Sequence, residues 1–347
     1  MSAVLSLPDE QFPEAWGNLS NEERSLEGAR GFERYKKLTP WVGASIVRAR
    51  QSIQAVEDAE IDFKAYADRE ERARVIPAET LATEGKRRML LGAEAQTGLT
   101  LPWAKAADKV KISPGKLAIW CGWSFHGKSA MLKQVMLHAI RESELVCIAS
   151  MEEEMHEVWE DMGRMACGEA EPALKDIDRW IQFQTGKLWF YDQQGVVSAA
   201  KIKTVIRYCA EELGITQFVV DSLMMLAVDR DDYDAQSRFV GELKGLAKDT
   251  GCTIHLVAHM RKRDGKTGEE QPGGVHDIAG AHDIASKADY VFNVWRDKAR
   301  KVAGAPECIL GVEKQRGRVN WIGRITLDFH AGSRQFVDGY HAMRFWE

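Results

Sequence analysis

The sequence predicts an α/β fold, a mainly parallel sheet covered by helices on both faces, with antiparallel strands closing one edge. Three observations predict it. From Gly115 onward, short apolar runs alternate with helical stretches. After Cys308 the apolar runs follow one another with no helical stretch between them. Of the 347 residues, 45% are hydrophobic and 29% charged, which suits a globular chain with a full core.

Residues 1–85 differ from the rest. They are densely charged, as in Asp68 to Arg74 (DREERAR), and show helical spacing through Phe32, Tyr35, Leu38, Trp41 and Val42. No strand pattern is visible there, so this stretch is expected to be a small helical N-terminal region or linker, with 86–347 as the main domain. The predicted strands are Lys116–Cys121, Leu145–Ala149, Leu188–Tyr191, Gln217–Val220, Thr253–Ala258, Tyr290–Val294 and Cys308–Val312. Helices are predicted over 127–141, 153–167, 198–213 and 233–249. Strands separated by helices imply right-handed crossovers and parallel pairing.

Composition excludes several classes. The net charge is −5, so any grip on nucleic acid must come from local basic loops. Six cysteines are scattered without a CxxC pair, which leaves a zinc module unsupported and suits a reducing cytoplasm. No signal peptide is read in residues 1–30. No run approaches the ~20 apolar residues of a membrane span.

Gly122-Trp123-Ser124-Phe125-His126-Gly127-Lys128-Ser129 matches GxxxxGK[ST] between a predicted strand and a predicted helix. Glycines let backbone N–H groups curl around an anion, and the helix N-terminus adds partial positive charge. Lys128 is placed for β- and γ-phosphates, and Ser129 for Mg²⁺. The motif therefore implies ATP or another nucleoside triphosphate with Mg²⁺; a chance Gly-rich turn would not come with strand and helix both in place. Asp221 ends the run QFVVD and is expected at the carboxyl edge of a neighbouring strand, where it would help hold the Mg²⁺; the alternative is a cap for the next segment. Glu152 is expected to project toward the nucleotide and handle the attacking water, while Glu153 and Glu154 suit the first turn of a helix. His259 follows the run TIHLVA at the same edge; a lone His is more often structural, and the alternative at this position is a sensor of the γ-phosphate. Beyond it, Arg261, Lys262, Arg263 and Lys266 form a basic, Gly-containing loop, either a phosphate grip or a solvated charge run.

Together these residues resemble the DnaB-type (superfamily 4) replicative helicases, in particular the helicase half of phage primase-helicases and of Twinkle. The resemblance spans about 95 to 338. It rests on the P-loop, Ser150-Met-Glu152, Val219-Val-Asp221, Leu243 to Gly251 (LKGLAKDTG), Val257-Ala-His259, Asp277 to Ala281 followed by Ala288-Asp289, and Glu313-Lys-Gln-Arg316-Gly. It implies a RecA-like P-loop NTPase core in a ring, expected to be a homo-hexamer, that moves on single-stranded DNA. It also implies Glu152 as catalytic base, His259 as the sensor, and Lys314 and Arg316 as a pair that reaches a neighbouring subunit's nucleotide. The basic loop is implied to hold single-stranded DNA by its phosphates. Gly280-Ala-His-Asp-Ile-Ala departs from the Gly-Ser-Gly and following Arg of the phage relatives, so DNA contacts in that segment are not carried over. The length leaves no room for a full primase domain, so priming is expected either from a separate primase or not at all.

Two other readings compete: a RecA- or RadA-like recombinase ATPase, and a regulatory ATP-binding ring. Lys314-Gln-Arg316 and the LKGLAK segment weigh against the first. The presence of both Glu152 and Arg316 weighs against an inactive ATPase.

Overall fold

The computed structural model describes residues 81–193, 195–225, 233–260, 271–274, 277, 281–297, 307–339 and 341–347, together with the strand Gln54–Val56. It is built on a ten-stranded sheet. In chain order the strands are β1 (Gln54–Val56), β4 (Leu117–Gly122), β5 (Val146–Ser150), β6 (Leu188–Tyr191), β7 (Gln217–Asp221), β8 (Thr253–His259), β9 (Tyr290–Arg296), β10 (Cys308–Gln315), β11 (Gly323–His330) and β12 (Gln335–Val337). A separate two-stranded ribbon pairs β2 (Leu99–Thr100) with β3 (Lys111–Ile112). The helices are α1 (Ala82–Leu91), α2 (Lys128–Arg141), α3 (Met155–Cys167), α4 (Leu174–Gln184), α5 (Ala199–Glu212), α6 (Tyr233–Thr250) and α7 (Ala281–Lys287).

The sheet order is β1-β6-β5-β7-β8-β4-β9-β10-β11-β12. Pairing is parallel from β1 to β9 and antiparallel from β9 to β12. This is the mixed sheet expected from the loss of helices after Cys308, since consecutive strands without a crossover pair antiparallel.

Each central strand is buried on both faces. Along β4, Leu117, Ile119 and Cys121 pack into one core with β7, α5 and α6, while Ala118 and Trp120 pack into the other with α2 and β9. The two-residue alternation of a strand assigns them. Trp120 stacks on Phe292 with ring centroids 4.4 Å apart. Its indole N–H donates to His255 Nδ1 at 3.1 Å, and the other ring nitrogen of His255 meets Gln217 Oε1 at 2.9 Å. An indole can only donate, so Nδ1 accepts and Nε2 carries the proton. All six cysteines are buried free thiols.

The structure departs from the sequence reading at several elements. Gln54–Val56 forms a strand paired with β6 inside the stretch read as having none. Helices α1, α4 and α7 and the ribbon β2–β3 were not predicted. Among the described residues, no helix is long and apolar enough to cross a membrane.

Candidate nucleotide site

The turn from β4 into α2 needs its two glycines. Gly122 has φ 156°, and a Cβ there would lie 2.3 Å from the Val294 carbonyl oxygen. Gly127, at φ 87°, would drive a Cβ to 2.8 Å from the Phe336 ring. Phe125, at the tip, also adopts a left-handed φ of 63°, and 90% of it is exposed.

Two side chains of the motif fasten the loop, one to a neighbouring segment and one to strand β9. Trp123 donates its indole N–H to the Gln271 carbonyl at 3.2 Å, and His126 Nδ1 accepts the Arg296 N–H at 3.1 Å. Lys128 is buried, and its ammonium donates to the Trp123 carbonyl at 3.0 Å across the loop.

Asp221 reaches this loop from further away than expected. Its strand β7 is not the neighbour of β4, because β8 lies between them. Contact is made through α2, whose Ser129 hydroxyl hydrogen-bonds the Asp221 carboxylate. Burial pushes that carboxyl up to about 6; the bond from Ser129 pulls the other way, and Glu152 and Glu153 add to the rise. A buried carboxylate beside a hydroxyl, both hard oxygen donors, is the chemistry of a Mg²⁺ site, and such burial is relieved by a cation. Ser129 and Asp221 fit that ion, which would supply charge to the phosphate oxygens.

Glu152 follows β5 by two residues. Its Oε1 accepts the buried Ser222 hydroxyl at 2.5 Å and lies 3.8 Å from His259 Nε2. His259 first, then the Ser222 hydroxyl, hold its carboxyl down to about 2 despite partial desolvation. The other ring nitrogen of His259 is 3.5 Å from Ser124 Oγ in the phosphate loop. Parallel register sets Gly122 opposite His259 and Ser150 opposite Asp221, so phosphate loop, acid and histidine share one sheet edge.

Glu153 has a different environment. It is 2.5 Å from the Lys133 ammonium, a buried cation that also lies 3.3 Å from Asp161. Glu153 and Glu154 both precede α3 rather than entering its first turn, where the acid is Glu157.

Lys314 and Arg316 lie at the opposite edge. Gln315 is in register with Tyr290 at the start of β9, and the Arg316 N–H donates to the Asp289 carbonyl at 2.9 Å. Asp289 in turn bonds Leu117 at the start of β4. From Leu117 to Gly122 is about 16 Å at the usual strand rise, beyond the reach of an arginine side chain. Arg261, Lys262, Arg263 and Lys266 lie outside the described residues.

Sequence reasoning missed Ser222 and Lys133. Ser222 adjoins Asp221, and a hydroxyl following an acid at a sheet edge is a weak signal. Lys133 lies five residues after Lys128 on α2, and nothing local distinguishes it from a solvated lysine.

A family model described as the DnaB-like helicase C terminal domain matches residues 110–338. The chain belongs to this family. A curated relative, the DNA helicase/primase of Enterobacteria phage T3, is 22% identical over 202 residues, covering 53% of this chain and 36% of the relative. The chain thus spans about a third of that relative's length. Among solved structures, one described as the ATPase domain of G40P superposes with a TM-score of 0.62 at 13% identity, over 78% of this chain and all of that one. A DnaB-like replicative helicase, described with its interactions with primase, gives 0.62 at 16% identity, over 76% of this chain and 68% of that chain. The fold of this DnaB-like domain is therefore the RecA-like fold of these helicase ATPase domains.

Proposed function

We propose that this DnaB-like chain is the ATP-driven motor of a ring-forming replicative DNA helicase, a homo-oligomer of hexameric type that translocates on single-stranded DNA. The observation that carries the proposal is Glu152: an ionised carboxylate, oriented by Ser222 and His259, beside a complete phosphate loop. A carboxylate so placed can accept the proton of an attacking water; its lowered pKa weakens it as a base, so what the site supplies is the fixed orientation of that carboxylate. Lys128 would carry the β- and γ-phosphates, while Ser129 and Asp221 would hold Mg²⁺. His259 touches both Glu152 and Ser124, which suits a residue that reports the γ-phosphate.

The placement of Lys314 and Arg316 supports a trans role. They are remote from their own phosphate loop, and Arg316 is exposed. A guanidinium delivered by a neighbour stabilises transition-state charge only in the assembled ring. Arg261, Lys262, Arg263 and Lys266 would grip the DNA phosphates.

DNA-stimulated ATPase activity, strand displacement and native mass, measured on one preparation, test the reading. Stimulated hydrolysis by a closed oligomer that displaces a strand is expected, and Lys128→Ala should abolish turnover. Strand exchange by an open filament would favour the recombinase reading, and binding of ATP without turnover the regulatory ring.

A further inference from the structure

Helix α7 ends among cations. Lys314 donates to the Ala285 and Ser286 carbonyls at 2.7 Å each, and Arg316 Nη2 to the Ser286 carbonyl at 3.1 Å. Lys244, from α6, donates to the Lys287 carbonyl at 2.8 Å. A helix C-terminus attracts such groups because its last carbonyls lack intrahelical partners and carry partial negative charge.

One carboxylate sits among these cations. Asp289, 3% exposed, takes Lys244 on Oδ1 at 2.9 Å and the Leu117 N–H on Oδ2 at 3.3 Å. Its carbonyl accepts the Arg316 N–H. Asp289 thus ties the start of the phosphate-loop strand, helix α6 and the backbone of Arg316 into one unit.

We propose that Lys244 is a positioning residue for Lys314 and Arg316: by neutralising Asp289 and occupying the last carbonyl of α7, it leaves the pair seated on Ala285 and Ser286, at the surface where a neighbour's triphosphate would meet it. The proposal rests on the trans reading above. Its physical basis is the cost of a buried unpaired charge. Without Lys244, Asp289 would draw in Lys314, whose ammonium already feels its charge, and with it disturb the neighbouring Arg316. Burial, with Arg316 and Lys244 beside it, already lowers the Lys314 ammonium to about 8, while Asp289 pulls it upward. The pair is therefore crowded, and a vacated carboxylate would recruit it inward.

The test uses full-length subunits in mixtures whose co-assembly is followed by native mass. A Lys128→Ala subunit has a dead phosphate loop and an intact pair. An Arg316→Ala subunit has the reverse. Mixed, these two should recover ATPase activity, because some interfaces combine both intact halves. If they co-assemble and recover none, the trans reading falls and this proposal with it.

Lys244→Met should bind nucleotide as the parent does, yet lose about tenfold or more of its turnover, a fraction of what a finger is worth. It should recover activity with Lys128→Ala, which lends it a good pair, and not with Arg316→Ala, which cannot. A general folding defect would depress both mixtures alike. Adding Asp289→Asn to Lys244→Met removes the recruiting charge and should restore part of the turnover, a non-additivity that marks coupled charges. Equal recovery in both mixtures, or parental turnover by Lys244→Met alone, would overturn the proposal with the trans reading intact.

Discussion

Glu152 and Glu153 are adjacent in sequence and opposite in environment. One faces His259 and the Ser222 hydroxyl; the other is held by a buried lysine between α2 and α3. Glu152→Gln should keep nucleotide binding and lose about 10²–10⁴ in turnover, the usual worth of a positioned base. Glu153→Gln should hydrolyse ATP but unfold at lower denaturant, since it strands part of the Lys133 charge. Single-turnover hydrolysis beside urea unfolding separates the two; an inactive, stable Glu153→Gln would move the base by one residue. His255 offers a pH test. Burial holds this imidazole down to about 3 from an ordinary 6.5, so it stays neutral in the fold while the unfolded chain takes up a proton. Its contribution is complete above pH 6.5 and is lost as pH falls toward 3, at about 1.4 kcal/mol per pH unit. His255→Gln, less stable at pH 7.5, should therefore lose stability less steeply on acidification, as urea midpoints between pH 7.5 and 4 would reveal. Parallel slopes would mean that His255 is already protonated in the fold. At this scale the phosphate loop, Asp221 and Glu152 were legible because their residue types sit at strand ends. Ser222 and Lys133 were not, since their roles depend on what the fold brings to them from outside their own segments.

Among the elements, β12 shows how the last strand of the chain supports the phosphate helix. Gln134 of α2, fully buried, donates to the Phe336 carbonyl at 2.8 Å and accepts the Phe336 N–H at 2.7 Å. Trp103 also donates to that carbonyl, at 2.7 Å. Gln134→Leu should cost about 1–3 kcal/mol, because it leaves a buried N–H without an acceptor. Trp103→Phe should sacrifice less in hydrogen bonding, since Gln134 still serves the carbonyl. Equilibrium denaturation ranks the two only after the smaller volume at position 103 is allowed for, so Trp103→Phe and Trp103→Leu should be measured together. The strands β4 to β10 and four helices were visible as alternation of apolar runs and amphipathic stretches. Helix α4 was missed because Ala173 at its start forms no side-chain cap and its residues, LKDIDRWIQFQ, place only Trp180 among its buried hydrophobics. Strand β1 has three residues, and its pairing depends on the edge that β6 presents. No local pattern encodes that.

For the whole molecule, the proposed grip on DNA predicts a salt dependence. Neutralising Arg261, Lys262, Arg263 and Lys266 together should weaken single-strand binding and flatten the slope of log affinity against log salt by about 3, given ~0.7 for each DNA phosphate left without its cation. Basal hydrolysis should survive, because these side chains have no part in the proposed phosphate site. Fluorescence anisotropy with a labelled oligonucleotide at two or more salt concentrations measures this. An unchanged slope would assign the loop to solvated surface charge.

The phosphate loop and the pair Lys314 and Arg316 are separated by the length of β4, so under the proposed reading each subunit would be directional, with a socket at one end of the sheet and a plug at the other. Under the proposed reading, interfaces of this kind repeat head to tail, and such a series either closes on itself or continues as a filament. Counting follows from that geometry. An open string always has one socket fewer in service than it has subunits, whereas a closed circle has none to spare. Turnover per subunit should therefore vanish for the isolated chain, rise with every subunit added, and make its final step when the circle shuts. A subunit supplied without its plug would leave one socket idle wherever it was inserted, and the deficit would report how many such subunits a ring contains.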